Sequence, residues 1–198
     1  MMQLQKKLPI LILLLAISLS IPPLRAYIEQ SMAIHMLVQM PLLLLSGYFV
    51  YPSIQARSSK FKSLGHYDFW GLTSFFTFFL ILTFWSLPIS IDLAIIKVEV
   101  DFLKVLSLFL AGVLLRSSLS RAPFVLPLFF FTYLLAMFIW MGIYLQSTSQ
   151  RVCNAYSLES QVRTGYGLII ISTLLFTGWL AYLYFSNMRD NSVNHKLH

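Results

Sequence analysis

Charge is what this chain has least of. Only 11% of its 198 residues are Asp, Glu, Lys or Arg, while 58% are hydrophobic; soluble domains carry about a quarter charged residues. That shortage excludes an ordinary soluble globular domain. Cysteine is nearly absent too. Cys153 stands alone, so there is no internal disulfide and no paired-Cys zinc spacing. Missing as well are the phosphate loop G-x-x-x-x-G-K-[ST] and the zinc-protease H-E-x-x-H. Gly165-Tyr166-Gly167 is a bare G-x-G opening an apolar run, without the strand and acidic residue of a dinucleotide site. No Ser–His–acid set emerges from the four histidines, and His195 and His198 read as part of a solvated tail. Enzyme activity is not expected.

What the chain has in abundance is long apolar sequence. Runs of about 18 or more mainly apolar residues mark membrane-spanning helices; several segments exceed that length, and six spans are expected, at about 8–24, 31–51, 69–87, 100–115, 124–145 and 166–185. The fold expected is all-α, a polytopic membrane helical bundle forming a single integral domain over 1–198. The first run follows Lys6 and Lys7 and has the outline of a signal peptide, but it lacks a clean A-x-A and reads as an uncleaved span. A short apolar piece, 89–96, precedes the fourth span. Pro41 interrupts the second and is expected to kink it.

The net charge of +7 follows the membrane rather than nucleic acid. Lys6, Lys7, Arg57, Lys60, Lys62, Arg116, Arg121, Arg189 and Lys196 fall on one side of the expected spans; Arg25, Lys97, Lys104, Arg151 and Arg163 fall on the other. The richer side is cytoplasmic, so both termini are expected inside a multi-pass protein of the cell (plasma) membrane, in contact with the lipid bilayer. Glu29, Asp92, Glu99, Asp101 and Glu159 lie on the outer side, where they would attract a cation. Asp101 is also spaced to pair with Lys97 or Lys104 on its own helix.

One stretch combines membrane length with chemistry: Ser31–Gly47, SMAIHMLVQMPLLLLSG. At about 100° per residue, Met32, His35, Met36, Gln39 and Met40 fall within an arc of roughly 140° on one helix face. Thioethers with an imidazole suit Cu(I); methionine is also ordinary packing material. The expected topology brings this face to the outer side, together with Trp85-Ser86-Leu87-Pro88, the start of span four at Glu99, Asp101 and Lys104, and the loop carrying Cys153, Glu159 and Gln161. Cys153 reads as a plain thiol, or else as a further donor beside His35.

Three passages carry a resemblance to a known family. His35-Met36-Leu37-Val38-Gln39-Met40-Pro41-Leu42-Leu43 is similar to a histidine–methionine motif that leads into a proline-containing apolar run. Phe84-Trp85-Ser86-Leu87-Pro88 with Asp92-Leu93-Ala94 is similar to a Trp-His-x-Pro segment and its following turn. Leu106-Ser107-Leu108-Phe109-Leu110-Ala111-Gly112 is similar to the next helix, and Glu159-Ser160-Gln161 before Gly165 to the entry of the last. The family is the CtaG-like cytochrome c oxidase assembly factors, polytopic proteins implicated in delivering copper to haem–copper oxidases, and the matches run in family order through the middle two thirds of the chain. The chain departs from it at the family's other histidines: Gln39 and Ser86 stand at two, and Asp101 and Val105 at those of the fourth span. A site built on several imidazoles is therefore not available.

The resemblance implies assembly of a copper-containing respiratory oxidase, with transient Cu(I) handling by His35, Met36 and Met40, and Met32 as a further donor. The partners implied are subunits of that oxidase or respiratory complex. The alternative is a metal-free structural accessory subunit of such a complex. A small-solute transporter fits less well, since no charge pair is expected near the midplane.

Overall fold

The computed structural model describes residues 21–28, 30–57 and 68–194, with residues 12 and 18 besides. Most of the expected first span, Glu29, the basic loop with Lys60 and Lys62, and the His195/His198 pair lie outside the described residues. Among the described residues the chain is helical and contains no strand.

The first helix described along its length is short, α1 (Pro22–Ile28), with two prolines at its N-terminus, where the missing N–H groups cost no hydrogen bond. Next, Met32–Ile34, a π-helical turn His35–Gln39 and Met40–Arg57 follow one another without a break and are treated together as α2. Then come a 3₁₀ turn (Phe69–Gly71), α3 (Leu72–Ser86), α4 (Pro88–Ile96), α5 (Val98–Leu119), α6 (Val125–Ser147) and α7 (Leu158–Asn194).

Four of these stretches are long and apolar enough to cross a membrane: Met32–Ala56, Phe69–Ser86, Val125–Ser147 and Leu158–Ala181. They correspond to the expected spans 31–51, 69–87, 124–145 and 166–185, the last beginning eight residues earlier than its sequence suggests. The expected fourth span, 100–115, lies within α5 and is not one of the four. Asp101 and Lys104 are buried in that helix, which is packed by α2, α3 and α4. Large apolar side chains cover the outside of the bundle, Trp140 at 71%, Leu174 at 65% and Phe129 at 63% exposure. Water would penalise such a surface, whereas lipid tails do not.

Pro41 leaves its mark on the turn that precedes it. Its ring has no N–H and would crowd the carbonyl of Leu37 in a regular helix. The turn just before it is widened by one residue, the Met40 N–H bonding back to the His35 carbonyl. Such π-turns are frequent at functional sites.

The closest pair is α2 and α5, which run parallel: His35 meets Lys104 at one end and Tyr48 meets Arg116 at the other. Gly47 and Gly112 form their crossing. A Cβ on Gly47 would lie 1.9 Å from the Phe109 carbonyl oxygen, and one on Gly112 would lie 1.9 Å from that of Leu44. α3 runs back beside α5, tied by the Trp85 indole N–H donating to Ser107 Oγ at 2.8 Å. At the Arg116 end, Asp68 accepts the Thr73 and Ser74 N–H groups at the start of α3 and pairs with Arg121 beyond α5 at 2.8 Å. α6 and α7 pack together along Gly142 and Gly165. Between that pair and the other helices lies an apolar cavity of about 430 Å³, lined by Met36, Met40, Trp85, Leu108, Phe138 and Leu168 among others.

Candidate functional site

At the end of the bundle where α2 and α5 begin, five polar side chains form one chain, four of them buried and the fifth, Arg25, partly exposed. Asp101 on the first turns of α5 pairs with Lys104, three residues on, at 2.7 Å, and with Arg25 of α1 at 3.1 Å. Arg25 also donates to the Ala94 carbonyl of α4 at 3.0 Å. Lys104 Nζ lies 2.9 Å from His35 Nε2, and His35 Nδ1 lies 2.7 Å from the hydroxyl of Tyr156. An ammonium can only donate. Nε2 is therefore the acceptor, and the Nδ1–H donates to Tyr156, an assignment made from the network. Lys104 and His35 are both completely buried.

Each of these positions has a local cause. The aliphatic stem of Lys104 lies within an apolar helix, and its charge is matched one turn earlier by Asp101 on the same face. His35 opens the π-turn, with its ring held edge-on against Tyr156 at a centroid separation of 6.4 Å. Tyr156 comes from the loop between α6 and α7. That loop is fastened to α4 by Asp92, whose two carboxylate oxygens accept the N–H groups of Asn154 and Ala155. It is fastened to α7 by Gln161, which accepts from the Val152 N–H and donates to the Leu145 carbonyl. Ser160 Oγ then accepts the Met32 N–H, satisfying a donor left over at the start of α2.

The sequence-predicted residues are brought together only in part. Met32, Met36 and Met40 share one buried cluster with Trp85, Cys153 and Tyr156, and Met36 and Met40 line the apolar cavity. His35 faces the polar chain, with both ring nitrogens engaged. The expected Asp101–Lys104 pairing is present, while Lys97 is exposed and no ion pair joins it to Asp101. Ser86 bonds to the Leu82 carbonyl of its own helix, Val105 packs against the methionine cluster, and Gln39 is buried. Glu159 is exposed and pairs with Arg163. Arg25 and Tyr156 were not foreseen as site residues. Arg25 reads in sequence as a topology charge, and Tyr156 sits in a polar loop with no periodic signal.

Among the described residues, no three His, Cys, Asp or Glu side chains gather as a metal-binding group. Cys153 is buried, its thiol 3.6 Å from the Pro88 carbonyl oxygen. Burial, and secondly the nearby Asp92 carboxylate, push its pKa up to about 12. The thiol form is the one favoured, so at pH 8 only about one molecule in ten thousand presents a thiolate. Iodoacetamide at pH 8 is expected to leave Cys153 unmodified in the folded protein and to label it after denaturation, read by intact mass. Rapid labelling of the folded chain would contradict the geometry of this loop.

The chain matches no family model, no curated protein and no solved structure, so the reading of this site rests on its own geometry.

Proposed function

We propose that this chain is a membrane-embedded accessory protein of the oxidase-assembly type, serving a copper-containing respiratory oxidase and holding no metal at rest. The oxidase comes from the resemblance of its histidine–methionine, Trp-Ser-x-Pro and Glu-x-Gln segments. The resting state is argued from one contact, Lys104 Nζ at 2.9 Å from His35 Nε2. A ligating imidazole must offer a lone pair to the metal. Here the available lone pair points at an ammonium, and the other nitrogen is hydrogen-bonded to Tyr156. The site as it stands does not fit a resident Cu(I) ion.

A second reading keeps the protein as a Cu(I) carrier. It is favoured by three buried methionines, Met32, Met36 and Met40, on the same turns of α2 as His35, which would supply soft donors. Purification of the tagged chain from native membranes, with metal analysis after Cu(I) loading under reducing conditions, separates the two readings. The resting metal-free reading expects oxidase subunits to co-purify and expects little copper. Near-stoichiometric copper that a His35→Ala/Met36→Ala variant loses would replace it with the carrier.

A further inference from the structure

We propose that the apolar cavity beside α2 binds one acyl chain of an anionic phospholipid, whose phosphate is held by Arg116. Nothing in this inference depends on an oxidase or a metal.

The wall of the cavity selects hydrocarbon. It contains no charged side chain. The Ser86 hydroxyl donates to the Leu82 carbonyl and the Trp85 indole N–H to Ser107 Oγ, so neither is left to orient a polar ligand. At about 430 Å³ the space is the size of a ligand pocket. On α2 its wall runs from Met36 to Leu45, about 13 Å along the axis. That is close to the ~15 Å depth of hydrocarbon in one leaflet. An extended chain uses this length, whereas a compact molecule does not.

The cavity opens sideways. α7 packs on α2 along Met32–Gln39, where a Cβ on Gly167 would lie 2.3 Å from Leu37 Cδ1. Beyond Met40 that packing falls away. Leu45, Ile171 and Leu175 flank the gap; all three line the cavity, and they are 40%, 40% and 59% exposed. A lipid chain can enter there from the bilayer without crossing a polar rim.

Charge selects the headgroup. Tyr48 stands one helical turn past Leu44, at the Arg116 end of the cavity. Its hydroxyl accepts from Arg116 at 2.7 Å, and the guanidinium carbon lies 5.0 Å from its ring centre. Arg116 is exposed, and among the described residues no carboxylate pairs with it. Asp68, the acid at that end, is paired with Arg121. An arginine this close to the end of α5 extends its head toward the bilayer surface, and a guanidinium is well shaped for phosphate.

The test places the full chain in phosphatidylcholine vesicles containing a phosphatidylglycerol with a photoreactive diazirine at the end of one acyl chain. Labelled residues are mapped by mass spectrometry. Met40, Leu108 and Leu168 line the cavity and are at most 8% exposed, so bulk lipid does not reach them; Leu174, at 65%, reports bulk lipid. Wild type is expected to be labelled in both places. Arg116→Gln should lower the cavity label about fivefold and leave Leu174 unchanged. The same diazirine on phosphatidylcholine, whose choline balances its phosphate, should give a similarly low cavity label. Ser172→Phe puts bulk into the cavity from a wall position and should abolish the cavity label. Wild-type label confined to exposed residues overturns the acyl site, as does cavity label that persists in a folded Ser172→Phe. Cavity label that is equal for the two lipids, or indifferent to Arg116→Gln, overturns the headgroup. Displacement by excess farnesol but not by unlabelled phosphatidylglycerol would give the cavity to a free isoprenoid and overturn the proposal too. The first arm uses the unaltered chain, so a misfolded variant does not shelter the proposal.

Discussion

Asp101→Asn is expected to destabilise the bundle by about 3–5 kcal/mol, the cost of breaking a buried charge pair from one side. The substitution keeps the size and shape of the side chain and removes only its charge. Asp101 is 7% exposed and is shared by Lys104 at 2.7 Å and Arg25 at 3.1 Å. Without the carboxylate, two cations stay close together in a poorly hydrated region. Glu159→Gln is the matched control. Its pair with Arg163 is 73% exposed on both sides, and water screens such pairs until they contribute little. Thermal unfolding in detergent, followed by circular dichroism, should separate the two variants widely. Equal midpoints would mean that the Arg25–Asp101–Lys104 cluster is not ordered in the folded bundle.

The same cluster shows how far the sequence could be read. Helix existence and approximate limits were legible because apolar runs such as 124–145 admit little else, and α6 (Val125–Ser147) follows that run closely. The Asp101–Lys104 pair was legible because it is local, three residues apart on one helix. Arg25 and Tyr156 were not. Arg25 reaches Asp101 across 76 positions and Tyr156 reaches His35 across 121, and nothing in the side-chain pattern records such distances. The His/Met face was half legible. Regular helix geometry puts His35 with Met36 and Met40, but the π-turn before Pro41 changes the spacing at that very place, and His35 is found in the polar chain.

Gly112→Leu is expected to prevent stable assembly of the bundle, and Gly112→Ala to cost about 1–3 kcal/mol or more. The Gly112 Cβ would stand 1.9 Å from the Leu44 carbonyl oxygen and 2.8 Å from the Tyr48 nitrogen. These are backbone atoms of α2, so no side chain can turn aside and the two helices must move apart. Within lipid, helix association depends on such close packing, because the surrounding tails are as apolar as the helices. Gly178 gives the control, since a Cβ there meets nothing within 4 Å, and Gly178→Ala should be neutral or gain up to about 1 kcal/mol of helix propensity. Yield after extraction and unfolding midpoint are the measurements, and Gly112→Leu matching Gly178→Ala would refute the packing. The effect should also extend to the site. Lys104 lies two turns before Gly112 on α5, about 12 Å along the axis, and its hydrogen bond to His35 spans the same pair of helices. Even the milder Gly112→Ala is therefore expected to loosen the ammonium from the imidazole: the pairing of Lys104 with His35 depends on how closely two glycines let α2 and α5 approach.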